Sequence, residues 1–321
     1  MRKIMPKITI QDIATRAGVA KSTVSRFLNG GSVSAKTRTK IEAIVDAAGY
    51  QPNVFAQSLK QQTTRTIGVI VPRLDSYAQT EMLHGLDDAN QDDVFLIMNT
   101  YQVEATVQKA IQQVETLRLS GLIIFAANLS DATKKMIAEL DVPVVIQGQD
   151  MPEFSRVVVD DGLAGAQIGQ LAANAARVLM ISVDPLKDFE IGQIRYQATR
   201  FQLTGVVDTV YADFSLNSAK QLTAEALATN HYDAIIAMTD LMAAGALQSL
   251  LADHRRVPEE TKVLGFGGTL ISDLAAPNIT TFAFDYYRVG QEIYELFKEQ
   301  QTNPEVKSVR VGGKLVIKQT S

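Results

Sequence analysis

A short segment near the N-terminus is rich in side chains that hydrogen-bond to nucleic acids. Residues 21–26 read KSTVSR, with two bases and three hydroxyls around one valine. Arginine can pair with guanine through two hydrogen bonds, lysine can reach a base edge or a phosphate, and hydroxyls suit phosphates. The candidate DNA contacts in this segment are Lys21, Ser22, Thr23, Ser25 and Arg26.

Two short helices are predicted to present this segment. Thr9 stands three residues before Asp12, which is a helix-start signature, and Gly18 suits the left-handed turn that ends a helix. Val24 and Leu28, four residues apart, give the second helix an apolar side and leave its polar residues facing outward. A turn this short requires a steep crossing angle, which is the geometry of a helix-turn-helix unit.

The N-terminal 65 residues are strongly basic, whereas the rest of the chain is acidic. They hold 11 Lys and Arg residues against three acids, although the whole chain has a net charge of −4. A third helix is predicted in this segment, with Ser34 as its N-cap and Gly49 at its end. Three such helices form a unit of about 50 residues that can carry a small core. A basic helical head on an acidic body indicates that the head binds a polyanion.

From Thr66 onward, short apolar runs alternate with longer segments of helical periodicity. The runs include TIGVIVP, VFLIMNT, GLIIFAA, VPVVIQG, RVVVDD, VLMISV, DAIIAMT and TKVLGFG. Near-continuous apolar strands separated by helices predict parallel sheets that are covered on both faces. More than eight such strands over residues 66–321 predict two sheets, and therefore two doubly wound α/β lobes.

The composition excludes several classes of protein. The chain has no cysteine, which excludes a disulfide framework and a thiolate metal site. Its apolar runs are shorter than the roughly 18 residues of a membrane span, and its basic start lacks the apolar core of a secretory signal. The three histidines have no metal-ligand spacing, and neither GxxxxGK[ST] nor GxSxG occurs. We therefore expect a cytoplasmic protein that is not an enzyme, with no membrane partner, cofactor or metal.

The head resembles that of a known family. The runs IQDIATRAGVAKSTVSRFLNG and VSAKTRTKIEAIVDAAGYQPN are similar to the DNA-binding head of the LacI/GalR family of bacterial transcription regulators. The segment GYQPNVFAQSL resembles the linker of that family, whose hinge helix forms on DNA, and Leu59 matches the leucine that wedges into the minor groove. The resemblance implies further DNA contacts from Asn29, Thr37 and Asn53. Ala20 departs from the capping serine of the family, which weakens the expected start of the second helix.

The resemblance also divides the chain into parts. It implies a helix-turn-helix domain over residues 1–52, a hinge helix and linker over 53–65, and an effector-binding and dimerisation core over 66–321. This core is similar to periplasmic sugar-binding proteins, with a first lobe of about 66–160 and 286–315 and a second lobe of about 161–284. In that fold the ligand lies between the lobes, at the carboxyl ends of the strands.

Seven residues of the core are candidate effector contacts, because they match the pattern of the family or stand at a strand end or crossover beside the expected cleft. They are Arg73, Asp75, Tyr77, Asp160, Arg195, Phe214 and Asp240. Carboxylates and arginine hydrogen-bond adjacent hydroxyls, and an aromatic ring covers the apolar face of a pyranose, so the set suits a carbohydrate. Structural roles stay open for four of them: Asp240 as a helix N-cap, Phe214 as core, Arg195 as an inter-lobe ion pair and Arg73 on the surface of a dimer interface.

Details of the core indicate the class of sugar. Gly148 and Gly267 stand where many relatives carry aspartate, and the loss of two anionic groups favours a more negative ligand. The loop RLDS resembles that of trehalose-operon regulators, in which the arginine, here Arg73, meets a sugar phosphate. The runs GFGG and IQGQ resemble those of Gram-positive sucrose-operon regulators.

The resemblance as a whole implies a homodimeric repressor of a disaccharide operon, with sucrose as a candidate. Such a repressor binds a pseudo-palindromic operator and is released by a sugar or sugar-phosphate effector. Within the same family, a non-sugar ligand or a protein corepressor stays open. Outside it, a solute-binding protein for transport fits the core but not the basic head.

Overall fold

The computed structural model describes residues 8–28, 31–50 and 65–321. The chain divides into two compact units, Met1–Thr64 and Arg65–Ser321. Three predicted DNA contacts lie outside the described residues, namely Asn29, Asn53 and Leu59, as does most of the predicted hinge, residues 53–64.

The described part of the first unit is helical, as predicted. Its helices are α1 (Ile10–Ala17), α2 (Lys21–Leu28) and α3 (Ala35–Ala48). Thr9 and Asp12 form the expected capping box, and Gly18 ends α1 in the left-handed conformation, with φ of 64°. The N-terminus of α2 forms although Ala20 has no capping side chain, because the Ala20 carbonyl accepts hydrogen bonds from the Thr23 and Val24 amides.

A small apolar core joins these helices. Its fully buried side chains are Ile13, Ala14, Ala17, Val24 and Ile41. Val24 is the fully buried contribution of α2, with Phe27 and Leu28 packed half-buried beside it, so the opposite side of this helix faces solvent.

The second unit contains two six-stranded sheets, each covered by helices. The first sheet has the order β11-β5-β4-β3-β1-β2, and its strands are all parallel. The second has the order β12-β10-β9-β8-β6-β7, with only β12 antiparallel. The strands of the first sheet are β1 (Thr66–Val71), β2 (Val94–Asn99), β3 (Gly121–Phe125), β4 (Val144–Gln147), β5 (Ser155–Val159) and β11 (Ser308–Val311). Those of the second are β6 (Arg177–Ser182), β7 (Val206–Tyr211), β8 (Ala234–Ala237), β9 (Lys262–Gly267), β10 (Thr280–Phe284) and β12 (Gly313–Val316).

Helices connect these strands and bury both faces of each sheet. They are α4 (Tyr77–Ala89), α5 (Glu104–Thr116), α6 (Asp131–Ala138), α7 (Asp161–Leu171), a π-helix (Glu190–Arg195), α8 (Tyr196–Phe201), α9 (Leu216–Leu227), α10 (Asp240–Ala252), α11 (Leu270–Leu274) and α12 (Tyr286–Gln300). On the first sheet, α4 and α12 cover one face, and α5 and α6 cover the other. On the second, α9 and α10 cover one face, and α7 packs on the other. The predicted doubly wound architecture is therefore confirmed. Within the described ranges, no helix is both long and apolar enough to span a membrane.

The chain passes between the two sheets three times. The passages lie at 159–161, 284–286 and 311–313, each between a strand of one sheet and an element of the other lobe. The sequence assigned residues 286–315 to the first lobe, but β12 pairs with β10, so residues 313–315 belong to the second sheet. This correction follows from strand pairing, which the local sequence does not encode.

Candidate functional site

Helix α2 exposes three of its predicted DNA contacts. Lys21, Ser22 and Arg26 are exposed, whereas Val24 is fully buried on the opposite side. Within the described residues, none of these three side chains hydrogen-bonds to another group of the head. Their exposure makes them accessible to a partner.

The other described candidates in the head are half-buried hydroxyls. Thr23 and Ser25 lie on α2, and Thr37 lies in the first turn of α3. The Thr37 hydroxyl is 2.8 Å from that of Ser34, the residue that caps α3. The position of Thr37 at a helix N-terminus suits a phosphate contact, because N-terminal amides and the helix dipole favour anions.

A cavity of about 290 Å³ lies between the two lobes of the second unit. Its walls come from the carboxyl ends of parallel strands in both sheets and from the loops that follow them. Six of the seven predicted effector contacts line it: Arg73, Asp75, Tyr77, Arg195, Phe214 and Asp240. The fold thus brings together residues that are far apart in the sequence.

Asp160 is the seventh predicted contact, and it does not line this cavity. Its carboxylate accepts a hydrogen bond from the Leu163 amide at 3.0 Å and caps α7. The next residue, Asp161, lines the cavity instead and is buried. An N-cap side chain folds back over the helix end, whereas the first helical residue projects sideways.

Arg195 is held rigidly at the bottom of the cavity. Its guanidinium donates to the Asp161 carboxylate at 2.6 Å and to the Met238 carbonyl at 2.7 Å. It also lies 5.1 Å from the centre of the Phe266 ring and 4.9 Å from that of Phe284. Because Arg195 and Asp161 are both in the second lobe, their ion pair does not link the lobes.

Asp240 is the first residue of α10 but not its N-cap. That role belongs to Thr239, whose hydroxyl accepts from the Met242 amide. The Asp240 carboxylate accepts from the Thr281 hydroxyl at 2.6 Å and from the Thr269 amide at 2.7 Å. The carboxylate is therefore held by hydrogen bonds from β10 and from the loop that follows β9. Burial raises the pKa of Asp240.

Two further carboxylates line the cavity and were not identified from the sequence. They are Asp188 and Glu190, which lie just before and within the π-helix that carries Arg195. Burial raises the pKa of Asp188 to about 7, and burial also raises the pKa values of Glu190 and Asp161. The sequence feature that could have identified them is the run DFEIGQIR, in which both acids lie within seven residues of Arg195.

Besides the hydrogen bond that the Asp150 amide donates to the Glu190 carboxylate at 3.0 Å, two groups of contacts join the lobes beside the cavity. The guanidinium of Arg73, after β1, lies 4.6 Å from the ring centre of Phe214, after β7. On a second side, the Asn128 amide donates to the carbonyls of Pro185 and Leu186 at 3.0 and 2.8 Å, and its oxygen accepts from the Phe189 amide at 3.0 Å. The first contact is a cation–π interaction, and the second is a three-bond clasp.

Gly148 and Gly267, which replace the expected aspartates, have a backbone reason to be glycine. Both line the cavity with positive φ, 102° and 136°. A Cβ at Gly148 would lie 2.3 Å from the Ala126 carbonyl oxygen, and one at Gly267 would lie 3.1 Å from a carboxylate oxygen of Asp240. In this arrangement of the loops, the Ala126 backbone therefore excludes a side chain at Gly148, and the positive φ and close neighbours would strain one at Gly267.

The comparisons with known proteins agree with this fold. Residues 9–53 match the model for bacterial regulatory proteins of the lacI family, and residues 191–321 match a periplasmic binding protein-like domain. The sucrose operon repressor of Staphylococcus xylosus is 33% identical over 88% of this chain and 90% of its own length. The regulator DegA of Bacillus subtilis is 29% identical over 89% of each chain. A crystal structure of the lac repressor dimer bound to operator and the anti-inducer ONPF has a TM-score of 0.87 and 25% identity, covering 98% of this chain and 99% of that one.

These similarities define the class of protein as a DNA-binding transcriptional regulator and not an enzyme. The chain belongs to the lacI family of bacterial regulatory proteins.

Proposed function

We propose that the chain is a homodimeric repressor of a carbohydrate operon. It binds a pseudo-palindromic operator in the cytoplasm through the exposed side of α2 and leaves the operator when a sugar occupies the cavity between the lobes. One observation carries the effector part of this proposal: six separately predicted contacts line a single cavity. The similarity to a sucrose operon repressor makes a disaccharide, and sucrose in particular, the first effector to test.

The cavity suits hydroxyl groups. Asp240, Asp188 and Glu190 offer carboxylate acceptors, and Phe214 offers a ring that can cover the apolar face of a sugar. The pocket size is at the lower end of the range for small-molecule sites, where polar groups set orientation and specificity. A sugar ring uses both kinds of contact at once.

The charge balance favours an uncharged sugar over a sugar phosphate. Five carboxylates line the cavity, those of Asp75, Asp161, Asp188, Glu190 and Asp240, against two guanidinium groups, those of Arg73 and Arg195. The guanidinium of Arg195 is already engaged by Asp161 and the Met238 carbonyl. A phosphate dianion placed among these groups would meet more repulsion than attraction. The loss of aspartates at Gly148 and Gly267 is therefore offset by other acids.

Thermal unfolding with a panel of ligands tests the effector class. The panel contains glucose, fructose, sucrose, trehalose, sucrose phosphate and two purines. A ligand present at 100 times its Kd should stabilise the protein by about 2.7 kcal/mol. We expect this response from a neutral disaccharide. A response to purines alone would support a non-sugar ligand of the same cavity, and no response from any sugar would reject the sugar assignment.

A further inference from the structure

Two adjoining chambers lie between the lobes, and Arg73 and Phe214 are among the residues that line both. The inner chamber is the cavity of about 290 Å³ that contains Arg195 and Asp240. A second cavity of about 700 Å³, the outer chamber, lies beside it between the same two lobes. Arg73 and Phe214 line both chambers, and the guanidinium lies over the ring at 4.6 Å. Their contact therefore forms part of the common wall.

Arg73 is not fully satisfied in this position. Its side-chain Nε is buried and has no hydrogen-bond partner among the described residues, since the nearest acid, Asp75, is 4.0 Å away and exposed. A buried donor without a partner costs free energy, which a ligand hydroxyl at the common wall would recover. The wall is thus a place where a ligand that spans both chambers gains a hydrogen bond.

The outer chamber carries the groups that recognise a second sugar ring. Tyr101 and Gln102 line it, and both have left-handed backbone conformations, with φ of 51° and 59°. Non-glycine residues adopt this conformation at a cost, and such strain concentrates at ligand sites. The Tyr101 side chain is 75% exposed, so its ring is available to stack on a pyranose.

The charges of the outer chamber are balanced. Two bases, Arg73 and Lys187, face two acids, Glu104 and Asp213, around its lining. This balance favours a neutral polyhydroxyl group over a phosphate. Glu104 already accepts hydrogen bonds from Ser130 and Thr133. Its carboxylate therefore holds neighbouring side chains of the lining in place.

We propose that the outer chamber is a second sugar subsite, which holds the second ring of a neutral disaccharide whose first ring occupies the inner chamber. The inference rests on the proposed function, since it assumes that the inner chamber binds sugar. It assigns the discrimination between disaccharides and monosaccharides to Tyr101 and to the Arg73–Phe214 wall.

Calorimetric titration of the full-length chain with sucrose and with glucose tests the subsite. The diagnostic variant is Tyr101→Asn, which removes the ring but tolerates positive φ, and the matched control is Tyr101→Phe. We expect Tyr101→Asn to weaken sucrose binding about tenfold and to leave glucose binding within about twofold, because only sucrose reaches the outer chamber. Tyr101→Phe should retain the affinity for sucrose.

Three other outcomes would contradict the second subsite or the neutral sugar ring assigned to it. Equal losses for sucrose and glucose, or no loss for either, would overturn the two-chamber assignment while leaving a sugar effector in place. Tight binding of sucrose phosphate with weak binding of sucrose would make the outer chamber a phosphate site and overturn the neutral ring. If the wild-type chain binds neither mono- nor disaccharides, the proposed function itself fails and the subsite with it.

Discussion

The guanidinium of Arg195 and the carboxylate of Asp161 form a 2.6 Å ion pair in which the side chains are only 4% and 5% exposed. The pair holds Arg195 beside the cavity, against the rings of Phe266 and Phe284. Breaking a buried ion pair leaves one charge without a partner in a desolvated site, whereas replacing both charges removes that penalty. Arg195 is also the group that we expect to contact the effector. Loss of the ion pair should therefore affect both the stability of the second lobe and effector binding.

Replacement of one partner should be far more damaging than replacement of both. Arg195→Met alone should lower the free energy of unfolding by about 3–5 kcal/mol, because Asp161 is left unpaired. The double variant Arg195→Met/Asp161→Leu should recover most of this loss. Urea unfolding of the two single variants and the double variant measures the coupling. A double variant no more stable than the singles would show that the pair is not coupled as the geometry indicates.

The pKa of Asp188 makes stability depend on pH. Burial raises it from 3.8 to about 7. Between about pH 4 and pH 7 the folded protein therefore keeps a proton that the unfolded chain has lost, so stability falls as the pH rises through this range. Asp188→Asn removes the titration but keeps an oxygen that can accept from the Ile191 amide, as the carboxylate does at 3.0 Å.

We expect Asp188→Asn to be more stable than the wild type by about 1–3 kcal/mol at pH 8 and nearly equal to it at pH 4. Denaturant unfolding at both pH values measures the difference. Asp131→Asn, at a fully exposed carboxylate, is the control and should not show this pattern. A stability difference for Asp188→Asn that is the same at both pH values would contradict the assignment of the titration.

The clasp formed by Asn128 should control how readily the lobes separate. Its oxygen accepts from the Phe189 amide, and its amide group donates to the carbonyls of Pro185 and Leu186. Asn128→Ala removes all three bonds, each worth about 0.5–1.5 kcal/mol. Asn128→Asp keeps the acceptor for Phe189 but loses both donors.

Hydrogen exchange at the Phe189 amide distinguishes the two Asn128 variants. Asn128→Ala should increase exchange at the Phe189 amide by about tenfold or more, whereas Asn128→Asp should preserve much of its protection. Effector affinity should fall in the same order, because the clasp holds the two walls of the cavity together. Unchanged exchange in Asn128→Ala would mean that other contacts hold the lobes together.

Arg26 is the residue of α2 that is best suited to read a base. Arg26→Ala should weaken operator binding by about 1–3 kcal/mol and relax the sequence preference at one base pair of each half-site. An operator duplex is first selected from a random pool. Fluorescence anisotropy with this duplex and with its single-base variants then gives the operator affinity and the sequence preference at each base pair. A uniform loss of affinity over all sequences would instead identify Arg26 as a phosphate contact.

The sequence predicted the fold well where local chemistry determines it. The capping box of Thr9 and the glycine end of α1 formed as expected, and the long apolar runs became strands. In contrast, β7 and β10 were not among those runs, since VVDTVY is a half-exposed edge strand and TTFAF begins with two threonines. Thr281 is buried because its hydroxyl donates to Asp240, a tertiary contact that no local pattern announces.

The candidate site was predictable to a similar extent. Arg195 and Asp240 follow from the family pattern, but the choice between Asp160 and Asp161 depends on which residue caps α7. The acids Asp188 and Glu190 line the site because the chain that leads into the π-helix, and the first residue of that helix, lie at the cavity. The division into two chambers is a property of opposed lobes, so no single segment of the sequence carries it.

The most direct test of the account is operator affinity with and without effector. The operator is selected as for Arg26, and its Kd is measured by fluorescence anisotropy in buffer and in saturating sucrose. We expect sucrose to raise the operator Kd by about tenfold or more and, because coupling is reciprocal, operator to raise the sucrose Kd by the same factor. An operator Kd that stays the same in sucrose, at concentrations where calorimetry shows the cavity to be filled, would contradict release by a sugar in this cleft.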